Sequence, residues 1–257
     1  SSAASDVYKR QPYTFSAQFV LSLTLHKGMT KRVLRDLGIP TPNFFEVHTI
    51  EDVNKVKLNY PLFAKPNSEG TGKGISAKSK VSNRKELFEI CDNLLATFKQ
   101  PVLVEEFLPG REFTTGIVGT REKAKVIGTM EVLLLENAEP DVYSYKNKDD
   151  CIGKVIYKVV NDQIVKKAEK FALAAWKSLG CRDAGRIDIR LDRNNVPNII
   201  ELNPLAGIHP THSDLPIICN LKNIEYKTLF SWIIESASDR IIKNKTGLEK
   251  VVLEIIS

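Results

Sequence analysis

Arg186 to Pro204 read RIDIRLDRNNVPNIIELNP, a segment in which charged side chains stand where a buried strand would carry apolar ones. With the period of two that a strand imposes, Arg186, Asp188 and Arg190 share one face and Ile187, Ile189 and Leu191 the other. Asp192-Arg193-Asn194-Asn195 is a turn cluster whose asparagines tolerate turn conformations, and Val196 to Leu202 reads as the returning strand of a β-hairpin. A turn centred on Asn194 and Asn195 sets Asp188 opposite Glu201 and Arg186 opposite Asn203. Like charges facing each other across a sheet are destabilising, and a hard cation such as Mg²⁺, held by two carboxylates and an amide oxygen, would supply the missing compensation. Pro197 cannot donate to the ladder, so it marks an edge strand or a bulge.

Working outward, residues 162–179 form the helix before this hairpin, stopped by Gly180, and residues 224–237 form a helix after it. Between Ala17 and Leu37 the apolar spacing predicts two short helices broken near Gly28. YPLFAKP is a strand ending on Lys65, followed by the Gly-rich loop Asn67–Gly74 and by ISAKSKV, whose alternation predicts a second strand. A helix with Leu87, Ile90, Cys91, Leu94, Leu95 and Phe98 on one face starts at a capping box of Asn83 and Glu86. PVLVEEF is a strand, LPGR a turn and EFTTGIVGT another strand, and a loop rich in charge and tyrosine spans Asn137–Cys151. Antiparallel hairpins with interspersed helices make the class α+β. The first eleven residues, SSAASDVYKRQ, have no apolar period and read as non-native adapter-like sequence, outside the fold.

With 257 residues, 42% of them hydrophobic, the chain can bury one large core or two small ones. It has no run of about 18 apolar residues to span a membrane and no secretory signal pattern, so the cytoplasm is the expected location. Cys91, Cys151, Cys181 and Cys219 lack paired spacing, which fits packed, reduced thiols rather than zinc or redox chemistry. The formal charge of +6 is scattered along the chain, which suits a phosphate-bearing ligand and does not point to nucleic acid.

SEGTGKGIS (Ser68–Ser76) is either a plain turn or a cover over nucleotide phosphates, and Lys65 just before it favours the second reading. It is not a Walker loop, because Asn67 and Gly74 stand where that spacing needs Gly and Ser/Thr. Glu105, Glu106 and Glu112 in VEEFLPGRE would ordinarily be solvated strand-end charges. His209 and His212 are split by Pro210, which argues for a binding-loop or solvent role over a helical pair of metal ligands.

The order of these motifs, a lysine before a Gly-rich loop, then VEEFLPGREFT, GRIDIRLD and IIELNP, resembles the ATP-grasp superfamily and, within it, the D-alanine–D-alanine ligase family. The likeness runs from about Tyr13 to about Pro216. It implies an ATP-grasp fold, in which two α+β subdomains of antiparallel sheet and helices enclose ATP. It further implies a helical lead-in over residues 12–46, a small subdomain with the Gly-rich loop over 47–110, a large subdomain with the metal site over 111–240, and a tail over 241–257. It implies a ligase that joins a carboxylate to an amine through an acyl phosphate, forming a dipeptide for peptidoglycan synthesis. In that scheme Lys31 and Lys65 touch the ATP phosphates, Thr71 and Gly72 lie in the covering loop, Glu105 and the backbone of Glu106, Phe107 and Leu108 meet adenine, and Glu112 meets the ribose. Asp188, Glu201 and Asn203 hold two Mg²⁺, with Mn²⁺ as a substitute. Arg186 and the Gly207 backbone stabilise the oxyanion, Ser213 binds the carboxylate of the amine-bearing amino acid, and Lys148 reaches the γ-phosphate. The implied partners are small amino acids, with neither nucleic acid nor membrane, and a homodimer is the assembly the resemblance allows.

Three departures accompany the likeness. Asp149 follows Lys148 where the family has tyrosine, Gly72 replaces a serine, and the segment NPLAGIHPTHSDLP carries an extra residue and Asp214 in an apolar position. These surround the amino-acid pocket, so two other functions stay open: a ligase for other amino acids, and an ATP-binding module without ligase activity. The family's N-terminal domain has no counterpart before Tyr13, which leads to the expectation of an incomplete chain.

Overall fold

A computed structural model describes residues 13–70, 72–135 and 155–240. The adapter-like segment, Thr71, the loop bearing Lys148 and Asp149, Cys151 and the tail lie outside the described residues. In chain order the described elements are α1 (Gln18–Leu25), α2 (Lys27–Asp36), β1 (Phe44–Val47), β2 (Leu62–Pro66), β3 (Lys80–Val81), α3 (Arg84–Phe98), β4 (Val102–Glu106), β5 (Glu112–Val118), β6 (Lys125–Leu134), β7 (Val155–Val159), α4 (Gln163–Ser178), β8 (Ala184–Leu191), β9 (Pro197–Asn203), α5 (Asp214–Leu221) and a helix α6 over residues 226–240.

Two antiparallel sheets carry the fold, one in the order β1-β4-β2-β3 and the other β7-β6-β5-β8-β9. In the first, alternate residues Leu62, Ala64, Val102 and Val104 pack with Leu87, Cys91 and Leu94 of α3. Their neighbours Phe63, Lys65 and Glu105 are left on the opposite face. In the second sheet Phe113, Ile117, Ile187, Ile189 and Leu191 form a core with Ala168, Ala172 and Trp176 of α4 and with Val20 and Leu34 of the leading helices. The alternate residues Glu112, Thr114, Arg186, Asp188 and Arg190 therefore share the other face. At its far end α5 and α6 cover that face, with Leu215, Ile218, Leu229 and Ile233 packed on Val118 and Ala184.

Strand β4 passes directly into β5 through residues 107–111, so the two polar faces meet at one cleft. The class is thus the α+β arrangement expected. Several boundaries differ. The helix break falls at His26, and Gly28 lies inside α2, where a Cβ would sit 2.4 Å from Glu46 Oε1. ISAKSKV supplies only the two-residue β3, because residues 77–79 coil into a 3-10 turn first. Gly74, at φ +77°, lets the loop fold tightly, since a Cβ there would lie 2.5 Å from Pro66. β1 pairs with β4, so the first sheet draws on residues before position 47, while α1 and α2 pack into the second sheet's core.

The hairpin holds its expected register where it matters. Asp188 faces Glu201 and Arg186 faces Asn203. Toward the turn the pairing shifts by one, because Asp192 N bonds Val196 O and Asn195 takes the left-handed conformation, giving a three-residue loop. A bulge at Ile200 absorbs the extra residue and restores the register before Glu201. Among the described residues β9 is an edge strand, consistent with Pro197 at its start.

Candidate active site

The cleft carboxylates on the strands are placed by alternation and each is met by a cation, from another element for Glu105, Glu112 and Glu201 and from the same strand for Asp188. Lys65 of β2 and Glu105 of β4 project from the same face of the first sheet, and Lys65 Nζ lies 2.7 Å from Glu105 Oε2. Lys31 Nζ reaches the other oxygen at 2.5 Å and also donates to Thr41 Oγ1 at 2.8 Å. Burial works against a charge on Glu105, but the two lysines overcome it and lower its pKa. Lys31, only 1% exposed, is pushed down to about 8, chiefly by burial.

This geometry corrects one expectation. Lys31 sits behind Glu105, bound to it and to Thr41, and is not on the cleft wall; the lysine of α2 that lines the cleft is Lys27. Its ammonium lies 3.0 Å from Glu201 Oε1. The first turn of α2 is fixed there by Asn67, whose backbone oxygen accepts from Lys27 N at 3.0 Å and whose carboxamide oxygen accepts from Gly28 N at 2.9 Å. Lys27, Lys31 and Leu34 fall at i, i+4 and i+7, one face of a helix, and that spacing was the available signal that Lys27 turns inward as Lys31 does.

On the floor of the cleft, Asp188 accepts from Arg186 Nη1 through both oxygens, at 2.7 and 2.5 Å, from Thr114 Oγ1 at 3.1 Å and from Asn203 Nδ2 at 3.2 Å. Arg186 Nε lies 3.2 Å from Asp214 Oδ2. Burial opposes the Arg186 charge, but Asp188, Asp214 and Glu201 raise its pKa further. For Glu201 burial pushes upward, and Lys27, Lys65 and Arg186 outweigh it, holding the carboxyl at about 2. The facing carboxylates are therefore compensated side by side, Asp188 by Arg186 and Glu201 by Lys27. The expectation that uncompensated repulsion strains the hairpin does not hold.

The donor set still fits a hard cation. Asp188 and Glu201 present carboxylate oxygens from facing positions of one hairpin, Asn203 lies on the same strand as Glu201 with its carboxamide against Asp188, and Glu201 is held ionised. Between the sheets, Phe107 lies under two cations, with Lys80 Nζ 4.5 Å and Arg190 Cζ 5.0 Å from its ring centroid. Glu112 pairs with Arg190 Nη1 at 3.3 Å. The Glu106 side chain is turned away, accepting from Asn43 Nδ2 at 2.9 Å and Asn59 Nδ2 at 3.0 Å, and its backbone N–H donates to Asn43 O at 3.0 Å. Gly72, Phe107, Leu108, Glu112, Asp188 and Glu201 all line the same cavity as Lys27 and Lys65.

Gly207 and Ser213 lie against each other and are not among the residues lining this cavity. Ser213 Oγ accepts from His209 N at 3.0 Å and would lie 2.6 Å from a Cβ on Gly207, so the serine needs the glycine. Ser213 also precedes α5 as its N-cap residue, although its side chain makes no cap bond. His209 and His212 are exposed, in keeping with a loop role. Cys91, Cys181 and Cys219 are buried free thiols, and burial pushes the first two up to about 12. Among the described residues no helix is long and apolar enough to cross a membrane.

Comparison with known proteins bears on the family and the fold. The family model described as D-ala D-ala ligase C-terminus matches residues 33–235. The D-alanine–D-alanine ligase of Bordetella pertussis is 32% identical over 234 residues, covering 90% of this chain and 71% of that protein. That of Bordetella avium is 30% identical over 234 residues with the same coverage. Among solved structures, D-alanine–D-alanine ligase from Bacillus anthracis complexed with ATP is similar at a TM-score of 0.75 and 22% identity, covering 95% of this chain and 76% of that one. The ligase from Coxiella burnetii gives 0.76 at 20% identity, covering 99% and 68%. These structural likenesses establish the ATP-grasp fold.

Proposed function

The chain belongs to the D-alanine–D-alanine ligase family, and on that premise we propose that it is an ATP-dependent ligase that joins two amino acids into a dipeptide for peptidoglycan synthesis. The observation that carries this reading is a single cleft with ammonium groups on one wall and paired carboxylates on its floor. Such a site accepts a polyphosphate together with its counter-cation.

Lys65 and Lys27 would bind the phosphates, and Gly72 with Thr71 would cover them. The Glu105 carboxylate and the backbone from Glu106 to Leu108 would meet adenine, and Glu112 would accept from the ribose hydroxyls. Asp188, Glu201 and Asn203 would hold two Mg²⁺, whose chemistry is to neutralise charge on the phosphoryl oxygens. The residues of this chain do the rest by alignment. Lys27 must release Glu201 as it turns to phosphate, and Lys148 would approach the γ-phosphate from the loop. After phosphoryl transfer from ATP to a substrate carboxylate, which leaves ADP, the amine attacks the acyl carbon, and the tetrahedral adduct loses the amine proton and expels phosphate to leave the peptide bond. Arg186 and the Gly207 N–H are the donors aimed at the resulting oxyanion. Ser213 would bind the second amino acid through its carboxylate.

The subdomain division proposed is a small unit around the first sheet and a large unit around the second, with α1 and α2 serving the latter. A homodimer in the cytoplasm is the working assembly. Asp214, a carboxylate beside Arg186, favours a second reading in which the amino acids joined are not both D-alanine. ADP release from Mg-ATP measured against a panel of D- and L-amino acids tests these readings. Stimulation by D-alanine is expected. Stimulation by other amino acids only would select the second reading, and ATP binding with no turnover in any combination would leave a binding module.

A further inference from the structure

Resting on the ligase reading above, we propose that Asp214 is a positioning residue that holds Arg186 in place when Asp188 engages a cation. The Arg186 guanidinium is gripped along two edges. Nη1 donates to both oxygens of Asp188, and Nε faces Asp214 Oδ2 at 3.2 Å. Both side chains of the Arg186–Asp214 pair are largely buried, with 14% and 13% exposed. A guanidinium is a rigid planar fork, so fixing one edge fixes the direction of the other.

The two anchors differ in what else they must do. Asp188 faces Glu201 across the hairpin and belongs to the metal-binding set, so its oxygens cannot serve Arg186 and a cation equally. Asp214 has no such second duty. It opens α5, whose Leu215 and Ile218 are fully buried and press on Gly116 of the central strand, where a Cβ would lie 3.1 Å from Leu215 Cδ1. Asp214 is thus mounted on a firm support outside the hairpin. As Asp188 turns to the cation, the Nε–Asp214 contact keeps the guanidinium over the floor and frees Nη1 to face the developing oxyanion. The Asp214 charge also offsets the repulsion between Arg186 and a divalent ion close by. Without it, Arg186 would cling to Asp188 and compete with the metal.

The test is a double-mutant cycle on the whole chain, read by Mn²⁺ binding in the presence of ADP and by steady-state kinetics. Asp214→Ala is expected to weaken Mn²⁺ about tenfold, the scale of losing a group that orients a metal ligand. It should lower kcat about 10- to 100-fold, as for a misplaced oxyanion donor, while the KM for ATP changes less than about threefold. Asp214→Asn, whose amide oxygen still accepts from Nε, should recover most of kcat. In an Arg186→Lys background Asp214→Ala should no longer alter Mn²⁺ affinity, because the residue it works through is gone. If Asp214→Ala does not fold, Asp214→Ser takes its place in the cycle. Additive Mn²⁺ losses in the cycle, or an effect confined to the KM of the amine substrate, would overturn the proposal. A wild-type chain that binds Mn²⁺ with ADP but joins no amino acids would instead sink the ligase reading, and the Mn²⁺ cycle would still judge Asp214.

Discussion

Two clusters of buried charge line the cleft, and they differ in the sign of what is left over. At the wall, Lys65 and, behind it, the buried Lys31 share the one carboxylate of Glu105. On the floor, three carboxylates, Asp188, Glu201 and Asp214, are met by two cations, Arg186 and Lys27. The wall has a positive charge in excess and the floor a negative one. Each surplus is an unfilled demand: the wall draws an anion, the floor a cation. A lone buried ion pair would be neutral and inert, and here each cluster is one charge away from that.

The sharpest way to break this contrast is to remove the carboxylate that unites the wall. Glu105→Gln leaves two buried ammonium groups without a counter-charge, and a loss of about 3 to 5 kcal/mol in unfolding free energy is expected from the cost of orphaning a buried charge. Chemical denaturation measures it, and a loss under about 1 kcal/mol would mean the wall is solvated rather than closed. Next in size, Glu201→Ala should weaken Mn²⁺ binding in the presence of ADP on the order of 100-fold, about 2.7 kcal/mol. Unchanged Mn²⁺ affinity would remove Glu201 from the metal set. Third, Lys65→Ala should weaken ATP about tenfold while adenosine changes less than about twofold, since the lysine serves phosphate only. Equal losses of both ligands in calorimetric titration would contradict that division.

The smallest effect is on pH dependence. Glu201 is held at about 2 against an ordinary 4.5, so the folded state binds its proton less readily than the unfolded state. Its stabilising contribution is complete above about pH 4.5 and is lost as the pH falls toward 2. Urea midpoints across that range should fall less steeply in Glu201→Gln than in the wild type, and parallel curves would show that Lys27 does not hold the carboxylate.

The floor was legible in the sequence because one period explains it. Alternation from Arg186 to Leu191 separates core from site, and the opposed strand brings Glu201 and Asn203 into register. A turn centred on Asn194 and Asn195 has two residues where the structure has three, yet the bulge at Ile200 restores the register before the site. The wall was legible only in part. Lys65 and Glu105 lie on neighbouring strands, but their bond to each other depends on a pairing between β2 and β4 that no local pattern states. Lys27 was missed for the same reason: its partner Glu201 lies far along the chain, and a lysine early in a helix reads as solvated. The β6–β7 ladder is equally illegible locally, because KVIGTMEVLL and Val155–Val159 are separated by some twenty residues and nothing in either strand states the pairing.

The edge position of β9 bears on how the protein behaves in a crowded solution. An open strand edge is a template on which another chain can add its own strand. Here Pro197 offers no N–H, the bulge at Ile200 bends the strand, and the segment before β1 covers its middle, with Ile199 N donating to Pro40 O and Thr41 Oγ1 donating to Ile199 O, both at 2.8 Å. The strand that carries Glu201 and Asn203 is therefore shielded from intermolecular sheet growth by the chain's own backbone. Thr41 belongs to that shield and also accepts from Lys31. Loosening the charged wall would then uncover the edge, and aggregation, measured by light scattering, would be an early sign that the wall had failed.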